Sequence, residues 1–383
     1  MFEGARELDR IAPVTVLPTR RASAKALGAV PVLLLATENE ARGARMQVGG
    51  VRVVDRAVRL LARLRDAHVV VVDDGSIPLP RHLPGNMERR RVEPRDAAGV
   101  VAARVAELGD ETETVGADLV WLQPARFDHG VRVVDAASHR AAEDAVFGDL
   151  RHGADGIVDR FVKTNVSSRL TRLLFAHLPL TPALVSLGAG FVGLYGALLV
   201  ATGGARAAVL GFAVLEGYVI LDACAGQLAR LRLRQTAFGA WVDTIVGDFV
   251  NVVLILALGR LVSHHGGNEL DMKMAYGAAG LTLLYAAISY RELVRQGEGD
   301  VMKLRWWFAY GQTLRGVRGA GSRSTRAVLR LGQRDVVILA GLVLAACNQL
   351  PLVLVYYVIV AIARAGGALG QLLTPAWRLR PPG

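Results

Sequence analysis

Between Asp222 and Asp248 the chain places three aspartates, three arginines and three glycines among long apolar runs. The stretch reads Asp222-Ala-Cys-Ala-Gly226-Gln-Leu-Ala229-Arg230, then eight residues, then Gly239-Ala-Trp-Val-Asp243-Thr-Ile-Val-Gly247-Asp248. A carboxylate inside a bilayer costs about 2.5–3.5 kcal/mol on insertion scales. Acids kept at such positions face a polar cavity, pair with a base, or bind a cation. A simpler role is also open: Asp222 and Asp243 could pair with Arg230 or Arg232 and fasten two helices at the membrane surface. Gly226 and Gly239 would serve helix packing under either role.

The elements that must position these residues follow from hydropathy. The chain has 383 residues, 52% of them apolar, and a net charge of +11. Its mean hydropathy is +0.34. Charge is dense before about residue 180, and apolar runs dominate after it. Six spans are expected, at 182–203, 206–224, 241–259, 273–290, 335–349 and 352–373. Most approach the ~20 residues a crossing helix needs. Arginines crowd residues 291–334 and recur at 230–234, while the alternate loops are poor in base. The positive-inside rule then puts the cluster, the N-terminal half, Arg378 and Arg380 on the cytoplasmic side of an inner membrane. The basic excess fits an anionic membrane surface, and no basic-aromatic motif points to nucleic acid. Thr181-Pro182 signals a helix start. Residues 151–180 form a juxtamembrane segment whose leucines Leu170, Leu173 and Leu174 share a face. Cys224 and Cys347 are too few for a disulfide framework.

Residues 1–25 read as a flexible tail, and 26–150 alternate strand and helix patterns. Apolar runs at 30–37 and 69–72, a helical stripe at 53–66, a helix at 97–108 and a strand at 118–122 predict a Rossmann-like α/β layer. The order resembles sugar-phosphate nucleotidyltransferases, in which a glycine-rich loop after the first strand cradles nucleotide phosphates. Here that loop would be Ala36-Thr-Glu-Asn-Glu-Ala-Arg-Gly43, with two glutamates in place of close glycines. After the later strand the nearest acid is Asp128. The layer is expected to be kept and its nucleotidyl transfer lost.

The Asp222–Asp248 stretch resembles the signature of CDP-alcohol phosphatidyltransferases, Asp-x-x-Asp-Gly-x-x-Ala-Arg followed by Gly-x-x-x-Asp-x-x-x-Asp. Residues 181–383 resemble that family's membrane domain, and the two halves together resemble bifunctional inositol-phosphate cytidylyltransferase/phosphodiester synthases. The resemblance implies an all-α six-helix transmembrane domain, common as a homodimer. It implies transfer of a phosphoalcohol from a CDP-alcohol to a hydroxyl acceptor, with release of CMP, in phospholipid or inositol-phosphodiester synthesis. Asp222 and Asp243 would hold Mg²⁺ or Mn²⁺, and Gly226, Ala229, Arg230 and Gly239 would line the CDP. Two positions depart from the pattern: Ala225 replaces the second aspartate, and Gly247 stands where the last belongs. Asp248 follows one residue late and reaches the site as general base only across a π-bulge or a tilt. Otherwise it caps or snorkels. These departures keep a catalytically inactive scaffold or regulatory partner as the alternative.

Overall fold

The computed structural model describes residues 32–373 except 63–68, 81–82, 94–95, 109–112, 122–129, 153–163, 176–177, 179, 266–267, 298–300, 302–303 and 308–331. The expected tail, Asp128, most of the basic 291–334 stretch, Arg378 and Arg380 lie outside them. The chain divides into two compact units, Met1–His152 with Leu231–Leu233, and Gly153–Arg230 with Arg234–Gly383.

The first unit is built on strands β1 (Val32–Ala36), β4 (Val69–Asp73), β5 (Met87–Arg91) and β6 (Glu113–Gly116), with β2 (Gln47–Val48) and β3 (Val51–Arg52) forming a short hairpin. The larger sheet has the order β5-β4-β1-β6, all pairs parallel. Its two central strands are continuous apolar runs because both of their faces are covered. Val32, Leu34, Val69 and Val71 pack with Val54, Ala57, Val58 and Leu61 of helix α2 (Val53–Leu61). Leu33, Val70 and Val72 turn the other way, toward Val101 and Val105 of α3 (Ala97–Leu108).

The edges escape an apolar reading. β5 is Met-Glu-Arg-Arg-Arg, largely exposed, with Arg89 paired to the buried Asp73 at 2.5 Å. Charge on an edge strand blocks further pairing. The expected strand at 118–122 is β7 (Leu119–Trp121), and it does not join the parallel sheet. It pairs antiparallel with β8 (Gly130–Arg132), and the parallel position belongs to the polar β6. Gly43, in the short helix α1 (Ala41–Arg45), is pressed on the backbone at Val133, and a Cβ there would overlap the Val133 carbonyl oxygen. Helix α4 (Ala136–His152) completes the unit.

The second unit is helical among its described residues. Helix α5 (Thr164–Leu170) runs into a π-helical turn, Thr171–Phe175. Then come α6 (Pro182–Ala201), α7 (Ala205–Leu231), α8 (Ala237–His264), α9 (Glu269–Gln296), α10 (Arg334–Ala346) and α11 (Leu350–Leu373). Thr181 caps α6, its Oγ1 accepting from Leu184 N–H at 3.3 Å. α6 packs on α8, α8 on α9 and α9 on α11.

Among the described residues, four helices, α6, α7, α8 and α11, are long and apolar enough to cross a membrane. The other two expected spans fall short for different reasons. α9 has 28 residues, but Tyr276, Thr282, Tyr285, Ser289 and Tyr290 dilute its middle. α10 has 13 residues, about 20 Å of helix against a ~30 Å hydrocarbon core. Boundaries also move. α7 continues past 224 to Leu231, so Asp222 and Arg230 lie on one uninterrupted helix. α8 begins four residues before the expected 241, placing Gly239 and Asp243 in its first two turns.

Replacing Gly43 with alanine forces the α1 backbone off Val133. The expected cost is about 1–3 kcal/mol, read as faster amide exchange in peptides from 32–152 and unchanged exchange in 182–264.

Candidate functional site

Residues four apart share one face of a helix, which sets the site's first wall. On α7, Asp222, Gly226 and Arg230 follow at this spacing, and Arg230 Nε donates to the Gly226 carbonyl at 3.3 Å. Gly226 is exposed, with open space where a side chain would stand. Ala229 is half-buried. The opposite face of α7 is occupied by α5. Gln227 donates to Ser167 Oγ at 2.8 Å, and Cys224 donates to the Ser167 carbonyl at 3.5 Å.

The second wall is the start of α8. Thr236 caps it, accepting from Gly239 N–H at 3.0 Å. One turn on, Asp243 Oδ1 accepts from Ser186 of α6 at 3.1 Å. Asp222 and Asp243 are close enough to feel each other's charge. Two carboxylates this close repel unless a positive group balances them.

That group is Arg334, the first residue of α10. Its Nη1 lies 3.6 Å from Asp222 Oδ2 and also donates to the Tyr218 hydroxyl. Its guanidinium carbon stands 5.6 Å from the centre of the Tyr218 ring, within cation–π range. It covers Gly247 so closely that a Cβ there would come 2.5 Å from Nη1. Gly247 is the position where the signature has its last aspartate. The room that this carboxylate would need is filled by a guanidinium.

Asp248 is turned elsewhere. α8 runs as an unbroken α-helix through 237–264, without a π-bulge. Asp248 Oδ2 accepts from the Tyr290 hydroxyl of α9 at 2.8 Å, and Trp241 packs edge-on against that tyrosine at 5.5 Å. Ala225 is fully buried, so a carboxylate at that position would be buried too.

No family model matches the chain. It is 34% identical over 197 residues to a bifunctional IPC transferase and DIPP synthase of Rubrobacter xylanophilus. It is 30% identical over 104 residues to a protein of the same name from Aquifex aeolicus. The matches cover 50% and 27% of this chain, and only 40% and 23% of those relatives. The chain therefore spans less than half the length of the curated relatives it matches.

Whether the cluster suits Mg²⁺ or Mn²⁺ turns on its donors. A hard divalent ion takes six or more oxygens, several of them carboxylate where the protein supplies the cage. Here Asp222 is shared with a guanidinium and Asp243 with a serine hydroxyl. Among the described residues, no group of three or more Asp, Glu, His or Cys is placed to hold a metal. The donors do not fit a divalent ion as they stand.

In the first unit the loop after β1 holds an acid–base network of its own. Thr37 N–H donates to Glu40 at 3.3 Å, Arg132 lies 3.5 Å from Glu40, and Arg132 Nε lies 2.6 Å from Asp118. Burial pushes the Asp118 carboxyl above its ordinary range, against the pull of Arg132. Glu40 and Asp118 are both buried, and Asp74 meets the same loop by accepting from Glu38 N–H at 2.8 Å.

Sequence reasoning missed Arg334, Tyr218, Ser186 and Tyr290. Arg334 looks like every other arginine between 291 and 334, and the three hydroxyls sit in apolar runs without a motif. Only the double loss of acid at 225 and 247 hinted that another charge was needed.

Tyr290→Phe removes the donor to Asp248. Loss of a hydrogen bond to a charged group predicts about 1.5–3 kcal/mol of destabilisation, measured as a lowered midpoint of unfolding in mixed micelles.

Proposed function

We propose that this chain is a membrane phosphotransferase of the CDP-alcohol type. It would move a phosphoalcohol from a CDP-alcohol to a hydroxyl acceptor and release CMP, in phospholipid or inositol-phosphodiester synthesis. The observation that carries this reading is the approach of Asp222 and Asp243 from neighbouring helices, with Arg230 on the same face of α7 as Asp222. The names of the two relatives support transfer chemistry.

In the reaction, the acceptor oxygen forms a bond to the β-phosphorus. The bond from that phosphorus to the bridging oxygen breaks, and CMP leaves with the electron pair. The acceptor's proton would pass to a carboxylate; Asp248, the candidate general base, can take it only once its hydrogen bond from Tyr290 is released. Arg230 faces the phosphates, and Gly226, Ala229 and Gly239 leave room for the nucleotide. The helical unit would be a six-helix domain, residues 181–383, in a bacterial inner membrane. The α/β domain at 26–150, the juxtamembrane 151–180 segment and the C-terminus would lie on the cytoplasmic side. The Glu40–Arg132–Asp118 network favours an α/β domain that no longer transfers nucleotides.

A second reading, an inactive relative serving as membrane scaffold, is favoured by the capture of Asp248 by Tyr290. One experiment separates them. Purified chain in nanodiscs receives CDP-diacylglycerol or CDP-inositol with candidate hydroxyl acceptors, and CMP is measured. The transferase reading predicts CMP release, lowered about 10²-fold or more in Asp222→Asn/Asp243→Asn. CMP no higher than in that variant, across all donors, supports the scaffold.

A further inference from the structure

We propose that Arg334 stands in for the divalent cation, so that the acidic cluster carries its own fixed positive charge. Three separate contacts place the guanidinium there. It lies against Asp222, bonds the Tyr218 hydroxyl, and packs over Gly247. The two departures from the signature then have one cause. With carboxylates at 225 and 247 the cluster would collect four acids and need mobile cations. With alanine and glycine there it holds two, and a single guanidinium offsets much of their charge. Gly247 is doubly suited, since it removes an acid and leaves the room that the guanidinium fills.

A planar guanidinium also offers donors that match phosphate oxygens, and it needs no dehydration of a metal ion. The Arg334 side chain is a third exposed, so a ligand can approach it. We assign to it the donor's diphosphate, a step that rests on the transferase reading. The cluster would then bind a CDP-alcohol without magnesium, with Arg334 as a phosphate-binding residue.

The test uses the full chain in nanodiscs and reads Mn²⁺ uptake by the electron paramagnetic resonance of free manganese. Wild type is expected to take up none at the cluster, giving the same signal as Asp222→Asn. Ala225→Asp/Gly247→Asp/Arg334→Met restores four carboxylates and is expected to bind manganese. Uptake by wild type that disappears in Asp222→Asn overturns the proposal, whether or not the triple variant folds. CMP release is followed in parallel with and without EDTA. Release that survives EDTA and falls about 10²-fold in Arg334→Met supports the assignment, and release abolished by EDTA overturns it. A chain that releases no CMP sinks the transferase reading alone, because manganese uptake still decides who supplies the charge.

Discussion

The ion pair between Arg334 and Asp222 is the contact on which the helical unit's polar end depends. It joins α10 to α7, and through Gly247 it brings α8 against the same guanidinium. Charges among apolar helices are costly unless paired. Here each has a partner on another helix: Asp222 with Arg334, Asp243 with Ser186, Asp248 with Tyr290. The cluster is therefore a clasp between helices.

The surrounding frame is apolar and close-packed. Ala197 of α6, Phe212, Leu215 and Tyr218 of α7, and Leu254 and Leu258 of α8 form one core. Tyr218 belongs to both systems, its ring buried in that core and its hydroxyl bonded to Arg334. The packing thus fixes where the guanidinium can rest.

What could be read from the sequence follows physical lines. β1 and β4 were legible because strands buried on both faces are continuous apolar runs. β5 and β6 were not, because edge strands carry charge and β6 is a four-residue Glu-Thr-Val-Gly. The start of α6 announced itself through Thr181-Pro182, whereas α10 ends at Ala346, too short for the span expected at 335–349. Asp222 and Asp243 stood out through spacing. Arg334 did not, since its role depends on a meeting of α7 and α10 that 111 intervening residues conceal. Spacing motifs report local geometry, and a counter-charge arriving from a distant helix leaves no local trace.

The most direct test of this account is the coupling energy between Asp222 and Arg334. Asp222→Asn, Arg334→Met and the double variant would be unfolded in mixed micelles under one condition. A fixed pair predicts that the double variant loses less stability than the two single losses combined, by about 1 kcal/mol or more. Losses that simply add, within about 0.3 kcal/mol, would mean that the guanidinium does not hold the cluster.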